Sequence, residues 1–224
     1  MYGSSAADTE PNDRSQPNPY HAQKPPPTYS KGFAFKGKDP TPFREQAGPT
    51  LRTNFYGTVA LIDAMVPLLR KSADPRIVNV ASQSGARLAI LDTDKAKQRE
   101  VSSPDLTRAR LLKMVRQFEA DVQAGTHAAQ GWPSTTYGMS KLALIAFGRV
   151  FAAEEARAHG GAGDKKPIWL ASCCPGWCAT DMSSHSGPRS AEHGARTPAW
   201  LALRGKEEGA RSGGFFYDER EIAW

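Results

Sequence analysis

Tyr137 and Lys141, set four apart in Tyr137-Gly-Met-Ser-Lys141, are the residues whose types and spacing best suit chemistry. On a helix, residues four apart share a face, so a phenol and an ammonium can enter one cleft. A neighbouring cation favours phenolate and draws the phenol pKa down from ~10. That makes a tyrosine a usable general acid or base. The same pair also arises on solvated helix faces, and the spacing alone leaves both readings open. Two further features stand at strand ends. Ser82 closes the run Arg76-Ile-Val-Asn-Val-Ala-Ser82, and Pro175-Gly176 stops Ile168-Trp-Leu-Ala-Ser-Cys-Cys174.

The elements that must position these residues are legible from periodicity. Leu51, Phe55, Val59, Ile62, Val66 and Leu69 have helical spacing over 50–71, with Arg70 and Lys71 at the negative end of the helix dipole. The β-branched run at Arg76–Ser82 reads as a buried strand. Ser102–Val122 has helical composition. Pro133-Ser-Thr135 opens the helix that carries the tyrosine, with Met139, Leu142, Ala143, Ala146, Phe147 and Val150 on its buried face. Gly160, Gly161 and Gly163 end it. Ile168–Cys174 is a second buried strand, Thr197–Leu203 a further helix, and Gly213–Tyr217 a last strand. The order α-β-α-α-β-α-β is that of an α/β protein with a parallel sheet. In such sheets ligands bind beyond the carboxyl ends of the strands, where Ser82 and Pro175-Gly176 lie.

Composition narrows the function classes. The chain has 224 residues, enough for one domain. Its mean hydropathy is −0.53 and it holds no long apolar run, so no membrane span is expected. No basic-then-apolar leader opens it, and a cytoplasmic location is expected. The net charge of +6 suits anionic ligands. The basic residues are scattered, without aromatic interleaving, and read as a solvated surface rather than a nucleic-acid site. Cys173, Cys174 and Cys178 are an odd, clustered set, read as thiols at a strand end, with a reactive thiol as the other reading. No histidine stands at metal-ligand spacing near them. Residues 1–31, with prolines at 11, 17, 19, 25, 26 and 27, read as a disordered tail preceding a domain at 32–224. Lys24-Pro-Pro-Pro-Thr28 could suit a polyproline reader, but a plain unstructured tail is the preferred reading.

Taken together, the motifs resemble those of the short-chain dehydrogenase/reductase family. They are Thr53-Asn54-Phe-Tyr-Gly57, Asn79-Val-Ala-Ser82-Gln83-Ser-Gly85, Tyr137-x-x-x-Lys141 and Pro175-Gly-Trp-Cys-Ala-Thr-Asp181. The long insert at 83–132, Gly131-Trp-Pro-Ser134, Cys173-Cys-Pro-Gly-Trp177 and the ending Asp218-Glu-Arg-Glu-Ile-Ala-Trp224 resemble the monomeric carbonyl reductase branch. The resemblance implies reduction of a ketone, aldehyde or quinone by hydride from NADPH. Tyr137 would protonate the carbonyl oxygen, and Ser82 would hydrogen-bond the same oxygen. Lys141 would lower the phenol pKa and hold the nicotinamide ribose. Asn54 would hold a water linking the lysine to solvent. Pro175, Gly176, Cys178 and Thr180 match the segment that contacts the nicotinamide end, while Gln83 and Trp177 would wall the substrate pocket. Simpler roles stay open: Ser82 as a strand end, Asn54 as a backbone partner in a helix kink, Thr180 as an N-cap and Trp177 as core.

The resemblance runs from about Gly32 to the C-terminus. No Thr-Gly-x-x-x-Gly-x-Gly turn stands before Asn54. The expected fold is therefore the C-terminal part of a doubly wound parallel-sheet Rossmann fold, with about three strands and flanking helices. Cofactor binding is expected to be weak or absent in the chain as it stands, because the amides that cradle a pyrophosphate come from that turn. The strand at 77–81 is expected to expose an unpaired edge. An alternative function follows, that of a non-catalytic interaction protein using that edge. By branch analogy the chain is expected to be a monomer.

Overall fold

The computed structural model describes residues 41–83, 91, 94–159 and 166–223. The tail expected at 1–31 and the glycines expected to end the tyrosine helix lie outside the described residues.

The first helical stretch forms without a break in helical backbone. It comprises α1 (Phe43–Leu51), a π-helical turn (Arg52–Tyr56) and α2 (Gly57–Leu69). Leu51, Phe55, Val59 and Ile62 are buried, as their spacing requires. The π turn is a departure from the regular helix read in the sequence, and it falls on Asn54. The helix expected over 102–122 is α4 (Arg108–Ala124), which starts six residues later than expected, and a further helix, α3 (Lys95–Ser102), precedes it. Asp94 caps α3 and Thr107 caps α4, each accepting amide hydrogens with its side chain. Gly125, at φ 73°, ends α4 in the left-handed conformation.

Helix α5 (Thr136–His159) carries the tyrosine and is buried on most of its faces. Strand β1 (Arg76–Val80) pairs in parallel with β2 (Trp169–Cys173), Arg76 opposite Trp169 and Val80 opposite Cys173. β2 pairs in parallel with β3 (Phe215–Tyr217), which turns back antiparallel as β4 (Arg220–Glu221). The described sheet thus has four strands in the order β1-β2-β3-β4, one more than expected. The added strand is short. It follows a two-residue turn in which both Asp218 and Glu219 have positive φ, a geometry that matches the twist of a hairpin. Helix α6 (Ala191–Trp200) starts earlier than expected, capped by Ser190, and Leu201–Gly205 continues it as a π turn.

β2 is buried throughout because both faces of the sheet are covered. Leu170 packs with α1, α2, α4 and α5 in the larger core. Trp169, Ala171 and Cys173 face the other way, against Leu201 and Phe216. β1 is the edge strand and is only half-buried along most of its length, so the buried strand expected there is a partly open one.

One ion pair fastens the end of α2 to the core. Glu155 on α5 is buried. It accepts from Arg70 at 2.5 and 2.7 Å and from the Ile168 amide at 2.8 Å. Burial alone would push its carboxyl up. The hydrogen bonds from Arg70 and Ile168, with the Arg70 charge, outweigh it and hold the carboxyl below its ordinary value. A depressed carboxyl contributes stability above its unfolded pKa, ~4.3, and that stability is lost as pH falls through the lower folded value. Glu155→Ala is expected to cost about 3 kcal/mol in a urea titration at pH 7, since it strands Arg70 and the Ile168 amide. The cost should shrink below pH 4; a pH-independent cost would show that the charge is not what matters.

Candidate active site

β1 delivers Ser82. The Ala81 amide donates to the Cys173 carbonyl at 2.7 Å, which fixes the strand end one residue before the hydroxyl. Ser82 is 9 % exposed. Helix α5 delivers the phenol on its first turn: Thr135 caps that turn, its Oγ1 accepting from the Gly138 amide at 3.0 Å. The Tyr137 hydroxyl is hydrogen-bonded to Ser82. One turn on, Lys141 Nζ lies 5.8 Å from the Tyr137 ring centre and donates to the Val80 carbonyl at 3.0 Å. A serine, a tyrosine and a lysine from two elements thus meet beyond the carboxyl end of β1.

Asn54 joins them through an intermediary. Its Nδ2 donates to Ser140 Oγ at 3.1 Å, and Ser140 donates to the Tyr137 carbonyl at 2.8 Å. The π turn presents Asn54 to α5, and its partner is a side chain, not the backbone of a kinked helix. Ser140 was not singled out in the sequence, although it stands inside the Tyr-x-x-x-Lys segment. Only the pairing across 86 residues reveals its role.

The electrostatics differ from the sequence expectation. Burial is the largest influence on Tyr137 and raises its pKa; the Ser82 hydrogen bond pulls the other way, and Cys174 raises it further. Burial likewise lowers Lys141, with Cys174 opposing. The site favours the neutral form of both groups. Lys141 is aimed at a backbone carbonyl, which explains why its charge does not pull the phenol down.

The segment after β2 forms one wall. Gly176 has φ 81° and donates its amide to Cys174 Sγ at 3.3 Å. Arg189 packs so closely that a Cβ at Gly176 would fall 2.8 Å from its Cδ and Nη1. Arg189 itself donates to the Pro175 carbonyl at 3.3 Å and to Asp218 at 2.6 Å, and lies 4.8 Å from the centre of the Tyr217 ring. It clasps the Pro175 segment to the β3–β4 turn, and nothing in the sequence pattern singled it out. Cys178 points inward, its thiol 3.4 Å from the Pro175 carbonyl. Thr180 has the N-cap role kept open above: it precedes the turn Asp181–Ser183, and its amide donates to Ser183 Oγ at 3.1 Å. Trp177 is 45 % exposed, which excludes the core reading. Gln83 is half-buried beside Ser82. Cys173 and Cys174 are buried, and burial, then Cys174, pushes the Cys173 thiol up to about 12. Among the described residues no cluster of His, Cys, Asp and Glu could hold a metal, and no helix is long and apolar enough to cross a membrane.

No family model matches the chain. Individual proteins do. It is 36 % identical over 193 residues to carbonyl reductase (NADPH) 1 of Macaca fascicularis and to that of Homo sapiens, a match covering 86 % of this chain and 67 % of each relative. Among solved structures it is similar to salutaridine reductase from Papaver somniferum, with 30 % identity and a TM-score of 0.66, over 78 % of this chain and 55 % of that one. It is also similar to menthone neomenthol reductase from Mentha piperita, with 30 % identity and a TM-score of 0.59, over 77 % and 51 %. The chain spans about two thirds of the length of the curated relatives and about half that of the solved structures.

The packing of the wall gives a direct test. A Cβ at Gly194 of α6 would lie 2.2 Å from Cys178 Sγ. Gly194→Ala should therefore displace the Cys178 thiol, destabilise the fold by about 1–3 kcal/mol through overpacking, and speed labelling of Cys178 by a disulfide reagent. Unchanged labelling and an unchanged unfolding midpoint would show that the wall is soft.

Proposed function

Because the chain belongs to the carbonyl reductase branch of the short-chain dehydrogenase/reductase family, we propose that it serves NADPH-dependent reduction of a ketone, aldehyde or quinone to the alcohol. The observation that carries this reading is the meeting of Ser82, Tyr137 and Lys141 at one strand end, with Tyr137 bonded to Ser82.

The residues present fit the nicotinamide end of such a cofactor. An ammonium carries more donors than the one Lys141 spends on Val80, and the rest suit ribose hydroxyls. Gly176, at φ 81° and packed against Arg189, holds the Pro175 segment in the shape that would meet the nicotinamide end. When bound, the cofactor supplies hydride to the carbonyl carbon. The chain's own residues manage the proton and the charge. Tyr137 gives its phenolic proton to the carbonyl oxygen. Ser82, already within hydrogen-bond reach of that phenol, donates to the same oxygen and stabilises the charge that develops there. Asn54, with its amide nitrogen held by Ser140, keeps its carbonyl oxygen for a water on the path by which Tyr137 regains a proton. Gln83 and Trp177 border the substrate. Burial helps the acid: a phenol held above ~10 stays protonated through neutral pH.

Tyr137→Phe should lower turnover by ~10²–10⁴-fold in an assay following NADPH absorbance with a quinone substrate, and should leave the cofactor affinity of the unsubstituted chain, expected to be weak, unchanged. Retained turnover would remove Tyr137 as the acid. The pH profile supplies a second check. A raised phenol pKa means that reduction should not fall for want of the tyrosine proton until pH passes ~10. A falling limb between pH 7 and 8 that disappears in Lys141→Met would instead show the lysine depressing the phenol.

A further inference from the structure

We propose that Arg189, held by Asp218, is the positioning residue for the wall beside the phenol. Its guanidinium fixes the Pro175–Gly176 peptide in one of the two orientations open to it. What that peptide meets rests on the reading proposed above; how it is held does not.

A proline–glycine pair has a choice. The shared peptide can lie as in a type II turn, with glycine at positive φ, or be turned over as in a type I turn, with glycine at negative φ. Glycine adopts both signs readily, so the local sequence does not decide between them. Here Gly176 is at φ 81°. The polar groups of this peptide are the Pro175 carbonyl and the Gly176 amide. The amide donates to Cys174 Sγ at 3.3 Å, a weak acceptor. The carbonyl accepts from the Cys178 thiol at 3.4 Å, a weak donor, and from Arg189 Nη1 at 3.3 Å. Of these three partners only Arg189 is charged, and charge-assisted bonds are the strong ones. Turning the peptide over would carry the carbonyl away from it.

The backbone of Arg189 places its side chain for this task. Its amide donates to the Trp177 carbonyl at 3.3 Å, and its carbonyl accepts from the Ala179 amide at 2.7 Å. One residue therefore grips alternate positions of the segment, Trp177 and Ala179 with main chain and Pro175 with side chain. Gly187 lets the returning chain come this close, since a Cβ there would fall 2.2 Å from the Cys178 carbonyl carbon. The guanidinium is fixed in turn. Nη2 donates to both carboxylate oxygens of Asp218 at 2.6 Å and lies 3.2 Å from His193 Nε2. The group sits 4.8 Å from the centre of the Tyr217 ring. Asp218 thus reaches Pro175 through Arg189. A clasp that only fastened the loop could do so with the main-chain bonds and the ion pair. The bond to Pro175 is the part that selects the orientation of the peptide, and Trp177 follows that peptide in the chain.

The test reads the peptide directly. Pro175-Gly176 is the one proline–glycine pair in the sequence. Full chain made with proline labelled at its carbonyl carbon and glycine labelled at nitrogen therefore gives one carbonyl–amide cross-peak in NMR, that of this peptide. A sharp peak is expected. Arg189→Met should shift it strongly or split it in two. Asp218→Asn should do the same: asparagine tolerates the positive φ of 48° at that turn position but gives up the charge that holds Arg189. The double variant should do no more than Arg189→Met alone. Asp218 is exposed, so Asp218→Asn serves if Arg189→Met does not fold. An unmoved peak in Asp218→Asn, or effects of the two changes that add, overturns the proposal. Both variants should also lower NADPH turnover with a quinone by about tenfold or more, with little change in the quinone KM, as expected of a misplaced wall. Unchanged turnover while the peak moves overturns the proposal too. Turnover absent from the unsubstituted chain overturns the carbonyl reading alone, because the cross-peak is recorded without cofactor.

Discussion

The close approach of α5 to β2 sets every other distance in the site. It occurs at Gly148, where a Cβ would fall 2.9 Å from Leu170 Cδ2 and 3.1 Å from Ser172 Oγ. Any larger residue would have to displace the buried Leu170 and Ser172 side chains or move the helix. With the helix down, Tyr137 and Lys141, at its start, reach the end of the neighbouring strand. Phe147 and Leu142 fill the core on the same helix. The site therefore depends on a contact made near the middle of the helix, about three turns from the phenol. Close packing transmits small shifts because the interior has little free volume to absorb them.

That same burial determines the electrostatics. The phenol and the ammonium are both drawn toward their neutral forms, by desolvation rather than by each other. The phenol is thus kept as a donor, and the lysine is spent on a backbone carbonyl at the sheet edge. For an acid that must hold its proton until a negative oxygen forms beside it, this environment is favourable. A donor need not be strongly acidic in the resting site if charge develops on its acceptor during the reaction.

The sequence carried the site better than it carried the surroundings. Ser82, Tyr137 and Lys141 were legible because strand ends and helical spacing are local signals, and the motifs around them are specific in combination. The central strand was legible because a strand covered on both faces must be apolar throughout, as Trp169–Cys173 is. Three kinds of feature escaped. Helix α3 was hidden because it is almost wholly polar, with Val101 its one buried residue. The π turn at Asn54 has no periodic signature over five residues. The clasp of Arg189 on Gly176 and Asp218 joins three segments whose residues are ordinary when read alone. Charge partners distant in sequence are selected by the fold, so no window along the chain contains them. The same limit applied to the tyrosine and lysine: spacing put them on one helix face, but the turn of the lysine to Val80 is set by the fold.

That turn links the end of β1 to the hydroxyl cluster. The Val80 carbonyl is the last of β1, and Lys141 is its donor. Asn54, which is tied through Ser140 to the tyrosine's own carbonyl, lines the same groove as Lys141. The strand end and the hydroxyl cluster are therefore not independent. A ligand that draws Lys141 away from Val80 gives up that hydrogen bond, and one that leaves it in place keeps the ammonium anchored to β1. The two events share one ammonium, so whatever free energy couples them is the same in both directions.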